Sequence, residues 1–125
     1  AGAEESIMLN DRGFLAEGST ENLFLVKEGK VFTPPLTASI LKGITRGVVI
    51  RIARELGYEV EERDLTMHEL FNADEVFVTG TAAEIVPIVK VSGRVIGTGH
   101  VGPVVKKIMA KFREMTKKSA EGIVL

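Results

Sequence analysis

Ile44-Thr45-Arg46-Gly47-Val48-Val49-Ile50-Arg51-Ile52-Ala53-Arg54-Glu55-Leu56-Gly57 is where the hydrophobic period of this chain changes. Val49, Ile52, Ala53 and Leu56 recur at i, i+3, i+4 and i+7, and Gly57 stands where a helix would stop. The spacing predicts a helix of about three turns. It follows strand-like sequence and is followed by more of it, so the chain reads as α/β rather than all-β.

Upstream, Ser6 to Leu9 and Phe14 to Ala16 read as short strands around the turn-forming Asn10-Asp11-Arg12-Gly13. Asn22 to Lys27 and Val31 to Thr33 form a second hairpin across Glu28-Gly29-Lys30, stopped by Pro34-Pro35. Four short antiparallel strands are expected there. Downstream, Tyr58 to Glu62 alternates as a strand, and Thr66-x-x-Glu69 is a capping box opening a short helix through Phe71. Glu75 to Thr79 and Ile85 to Val91 are strands, Ser92-Gly93-Arg94 turns into Val95-Ile96, and Pro103 opens a helix with Val105, Ile108, Met109 and Phe112 on one face. The tail from Lys117 is expected to be loosely attached. No repeat or linker divides the chain, so residues 1–125 are expected to form one α/β domain with a mixed sheet.

Composition excludes several functions. With 125 residues and 45% hydrophobic content the chain can bury one core. Its 16 basic and 17 acidic residues leave a net charge of -1 with no basic block, so a nucleic-acid partner is not expected. There is no cysteine, hence no disulfide and no thiol chemistry, and only His68 and His100 could offer imidazole. No metal site is expected. No apolar run is long enough for a membrane span and no signal segment opens the chain, so a cytoplasmic protein is expected.

Three segments carry chemistry: Ala16-Glu17-Gly18-Ser19-Thr20-Glu21-Asn22, Leu41-Lys42-Gly43-Ile44-Thr45-Arg46, and Val78-Thr79-Gly80-Thr81-Ala82-Ala83-Glu84. Glu17 ends a predicted strand beside Gly18, which has no side chain to keep a flat ring off the backbone. A carboxylate so placed can keep a pyridine nitrogen protonated, although a glutamate at a strand end is more often only exposed. Gly43-Ile44-Thr45 opens the predicted helix, where free N–H groups and a hydroxyl favour an anion, although Thr45 could be a simple cap. Gly80-Thr81 repeats that chemistry at a strand end. Ala82 and Ala83 leave their N–H groups unobstructed for a substrate carboxylate, although small-residue packing would explain them too. Two glycine-threonine turns are redundant as ordinary turns and useful as a clamp around one phosphate. Together with Glu17 they point to pyridoxal phosphate.

These residues, with Asn10-Asp11-Arg12-Gly13, Glu21-Asn22-Leu23-Phe24, Phe32-Thr33-Pro34-Pro35, Glu84-Ile85-Val86-Pro87 and Gly102-Pro103, resemble the C-terminal portion of fold-type IV pyridoxal-phosphate aminotransferases. The similarity is greatest to the branched-chain amino acid aminotransferases. The resemblance implies a large-domain fold, a mixed and largely antiparallel sheet or pseudo-barrel with flanking helices. It implies that Glu17 pairs with the pyridine nitrogen, that Leu41 packs on the ring, that Gly43, Ile44, Thr45, Gly80 and Thr81 hold the phosphate, and that Ala82 and Ala83 receive the substrate carboxylate. Amino acids and 2-oxo acids are the implied substrates, L-leucine, L-isoleucine or L-valine with 2-oxoglutarate, and a homodimer or higher homo-oligomer the implied assembly. D-amino acid aminotransferases and aminodeoxychorismate lyases share the scaffold.

In that family the lysine that forms a Schiff base lies upstream of the Glu17 motif, so it is expected before Ala1, as is an N-terminal small domain. The chain is then a piece of an enzyme that alone transaminates poorly or not at all. Lys42, Lys27 and Lys30 do not replace that lysine: the family makes no such use of the first position, and the other two sit at a hairpin end. The competing reading is a non-catalytic binding domain that has kept the fold. His68 and His100 are read as incidental surface residues, and Lys106, Lys107 and Lys111 as a solvated helix face.

Overall fold

The computed structural model describes residues 8–9, 15–16, 22–35, 40–79 and 85–120. A short antiparallel pair, β1 (Met8–Leu9) and β2 (Leu15–Ala16), stands as its own two-stranded sheet. The main sheet contains β3 (Asn22–Lys27), β4 (Lys30–Thr33), β5 (Glu59–Glu62), β6 (Glu75–Thr79) and β7 (Ile85–Ile88), in the order β5-β4-β3-β6-β7. All neighbours are antiparallel except β4 and β5. The parallel pair follows from what joins it: a whole helix, α1 (Ile40–Glu55), lies between the two strands, and only such a crossover returns a chain to run alongside itself.

The β3–β4 turn needs a left-handed backbone at both central residues, and Glu28 and Gly29 have φ of 51° and 75°, the geometry of a tight hairpin turn. Gly57, with φ of 93°, ends α1 as its position predicts. Leu56 lies past the last helical residue and is exposed, so it leaves the apolar stripe to which its spacing assigned it. Ile50 joins the buried set instead.

Successive side chains of a strand face opposite ways, so β3 serves two cores at once. Phe24 and Val26 pack with Val31, Phe77, Val49, Ile52 and Ala53, and with Val104, Val105 and Ile108 of α3 (Pro103–Ala120). Leu23 and Leu25 pack on the other side with Val76, Val78 and Ile88, beneath Leu65, Ala73 and Leu70 of α2 (Met67–Phe71). This second core also takes Val91 and Ile96, from and beside the small hairpin of β8 (Lys90–Val91) and β9 (Arg94–Val95). Phe24 and Phe77 are register partners, and their rings stack at 4.8 Å. The expected strand from Ile85 to Val91 is thus two strands, β7 and β8, in different sheets. The backbone of Lys117–Ala120 continues α3, and the rest of the expected loose tail lies outside the described residues. Among the described residues no helix is long and apolar enough to cross a membrane.

Candidate functional site

One end of the main sheet collects the residues that flank the three chemical segments. Asn22 opens β3 and is the register partner of Thr79, the last residue of β6; Thr79 is in turn paired with Ile85, the first of β7. Because β4 runs antiparallel to β3, its last residue, Thr33, lies at the same end and donates its hydroxyl to the Leu23 carbonyl at 2.6 Å. Thr33 is paired with Glu62, the last residue of β5. The guanidinium of Arg46, in the second turn of α1, donates to the Pro34 carbonyl at 3.0 Å and lies 3.3 Å from Glu62 Oε1. So the second turn of α1 is tied to this same end.

Buried polarity follows the same geography. The buried polar or charged residues among those described are Asn22, Thr33, Arg46, Thr79 and Glu75. The first four are at this end, where the Asn22 side-chain amide also donates to the Thr79 hydroxyl at 3.2 Å. Glu75 is at the opposite end and serves α3: its carboxylate accepts from the N–H groups of Val104 at 3.2 Å and Val105 at 2.9 Å. Polar groups are removed from water at a cost unless bonded, and each of these four has a hydrogen-bond partner at this end.

Of the candidate site residues, Glu17, Gly80, Thr81, Ala82 and Ala83 lie outside the described residues. Leu41 and Lys42 belong to the first turn of α1. Gly43, Ile44 and Thr45 follow, with Ile44 59% exposed and Gly43 and Thr45 half-buried. The helix begins at Ile40, one turn before the start its pattern predicted. Nothing in Ile40-Leu41-Lys42 breaks a helix, and Leu and Lys are good helix formers. In an α-helix beginning there, the N–H groups of Ile44 and Thr45 point at carbonyls four residues back, and the free donors belong to the turn before Gly43. Thr45 is therefore not the cap of this helix.

His68 and His100 are exposed, and the described residues contain no cluster of metal-ligating side chains. Lys27 faces Asp74 at 3.6 Å. Lys30 contacts Glu61 at 2.8 Å and Glu59 at 2.9 Å, bonds that raise its pKa above the ordinary lysine value and so keep it a poor nucleophile. The residues that sequence reasoning left unassigned are Asn22, Thr33, Thr79 and Arg46. The available signal was a polar residue closing an apolar strand run, as in Glu75-Val76-Phe77-Val78-Thr79.

Arg46 carries a permanent charge yet is only 6% exposed, and its Nε has no hydrogen-bond partner among the described residues. The Thr45 hydroxyl precedes it in the chain. Fold and site together define a mixed-sheet α/β domain with a polar sheet end. Residues 1–91 match the family model of the class IV aminotransferases. The branched-chain amino acid aminotransferase of Escherichia coli strain K12 is 51% identical over 111 residues, which are 89% of this chain and 36% of that protein. That of Pseudomonas aeruginosa is 44% identical over 120 residues, 96% of this chain and 39% of the relative. A crystal structure of the T.th. branched-chain amino acid aminotransferase, complexed with N-(5'-phosphopyridoxyl)-L-glutamate, superposes with a TM-score of 0.80 at 44% identity, over 86% of this chain and 36% of that one. The chain belongs to the class IV aminotransferases. It spans under half the length of these relatives.

Proposed function

We propose that this chain is the cofactor-binding domain of a branched-chain amino acid aminotransferase. Its substrates are L-leucine, L-isoleucine or L-valine and 2-oxoglutarate, and its cofactor is pyridoxal phosphate. The relatives' names and the phosphopyridoxyl adduct in the T.th. structure support substrate class and cofactor. The observation that carries the reading is the shared sheet end. The described residues nearest in sequence to Glu17-Gly18 and Gly80-Thr81, namely Asn22, Thr79 and Ile85, stand at the sheet end to which Arg46 ties the helix that bears Gly43-Ile44-Thr45.

When bound, pyridoxal phosphate supplies an electron sink that makes the α-proton of an amino acid removable. The chain's own residues hold and tune it. Glu17 keeps a proton at the ring nitrogen, and Leu41 packs against the ring face. The hydroxyls of Thr45 and Thr81 and the N–H groups of Ile44, Thr45 and Thr81 receive the phosphate, with Gly43 and Gly80 permitting close approach. Ala82 and Ala83 direct N–H groups at the substrate carboxylate. Donation by the Ile44 and Thr45 N–H groups requires the first turn of α1 to open, and Gly43 makes that cheap, since a helical glycine costs about 1 kcal/mol relative to alanine. A reactive lysine and a small domain are supplied by a longer polypeptide, which works as a cytoplasmic homodimer or higher homo-oligomer.

The full-length protein should bind pyridoxal phosphate with the absorbance change of a bound chromophore and transfer amino groups from L-leucine, L-isoleucine and L-valine to 2-oxoglutarate. Turnover of D-alanine, or cleavage of aminodeoxychorismate, without turnover of L-leucine would reassign the substrate class. Failure to bind pyridoxal phosphate at all would remove the reading.

A further inference from the structure

Arg46 poses a question that packing does not answer. It is the one buried basic residue among those described, and burying a guanidinium costs several kcal/mol unless each donor is bonded. Here one nitrogen serves the Pro34 carbonyl and the Glu62 carboxylate, while the buried Nε has no partner among the described residues. Glu62 is half-exposed, so its charge is largely solvated and compensates only part of the penalty. An apolar side chain would fill the position at lower cost.

We infer that Arg46 is the positioning residue of the phosphate-binding turn, an inference that rests on the proposed role of Gly43-Ile44-Thr45. The rest of α1 meets the sheet through Val49, Ile52 and Ala53, and apolar contact is non-directional: it holds the helix down without fixing where along the sheet it sits. The bonds of Arg46 are directional and reach the residue that follows β4 and the last residue of β5. They hold the second turn of α1 at the sheet end whether the first turn is wound or open, and Thr45, next in the chain, is held with it. The planar fork makes this link; a lysine ammonium, a single point on a flexible stem, does not reproduce it.

The test compares pyridoxal phosphate with pyridoxal, which lacks the phosphate, by absorbance titration of the full-length apoprotein. Arg46→Lys should weaken pyridoxal phosphate about tenfold, the equivalent of one well-placed charge-assisted bond, while pyridoxal changes by less than about twofold. Thr45→Ala should also lower the ratio of the two affinities. If Thr45→Ala leaves that ratio unchanged, the phosphate reading of this turn fails and the inference falls with it. If Thr45→Ala lowers the ratio and Arg46→Lys lowers only the melting temperature of the apoprotein, Arg46 is merely structural and the inference alone is overturned. Should Arg46→Lys not fold, Glu62→Gln keeps the guanidinium and removes its ion pair. A lowered ratio there supports positioning, and an unchanged one overturns it.

Discussion

Glu75 shows how much one side chain can organise at the end of the sheet away from the site. It begins a fully buried strand, yet both carboxylate oxygens accept from the first turn of α3, where unsatisfied donors and the helix dipole favour a negative charge. Gly102 is the counterpart of that arrangement: a Cβ there would stand 2.2 Å from Glu75 Cδ, so alanine would displace the carboxylate. Glu75→Ala should cost about 2 kcal/mol, the loss of a buried cap, read as a lower urea midpoint with little change in slope. Glu75 was legible only as part of a strand, because its partners lie 29 and 30 residues away. Arg46 was equally opaque. Its spacing put it on a helix, but the carbonyl it meets follows β4 and the carboxylate ends β5.

At the scale of elements, local signals translated well where their physics is local. The capping box of α2 forms as written, with Thr66 and Glu69 bonded reciprocally, and the Glu28-Gly29 turn has the backbone its composition demands. The start of α1 was displaced by a turn because helix formers before Gly43 extend it, and glycine weakens a helix without forbidding it. Gly43→Ala should therefore stabilise the first turn by about 1 kcal/mol and weaken pyridoxal phosphate binding in the full-length protein. Tighter binding in that variant would show that the turn need not open.

The edge strand β5 makes a second prediction at this scale. Lys30 holds Glu61 below the ordinary carboxylate pKa of 4.5, and Arg63 does the same for Glu69. A carboxylate with a lowered folded pKa stabilises fully above 4.5, and that contribution is lost as pH falls through the folded value. Lys30, raised above 10.5, contributes fully below 10.5 and loses it as pH rises through its folded value. The melting temperature should thus fall at both extremes. Since these pairs are partly exposed, salt should flatten both slopes, and Glu69→Gln should flatten the acid one.

Over the whole molecule, a five-stranded sheet is covered on one face by α1 and α3 and on the other by α2 and a small hairpin, with four of the buried polar residues gathered at one end. Catalysis belongs to this scale, since the proposed parts come from separate elements and a further domain. Glu17→Gln in the full-length enzyme should lower turnover far more than cofactor retention, because it weakens the electron sink and leaves the phosphate clamp intact. Unchanged turnover would remove Glu17 from the mechanism. Period, capping and turn chemistry act between residues a few positions apart, so the sequence alone determined the element order, the two hairpins and the α/β class. Tertiary structure alone decided the parallel β4–β5 pair, the separation of β7 from β8, and the gathering of Asn22, Thr33, Arg46 and Thr79 at one end. Those depend on which strands become neighbours, and neighbours in a sheet are chosen by burying both its faces at once, a condition no single stretch of chain contains.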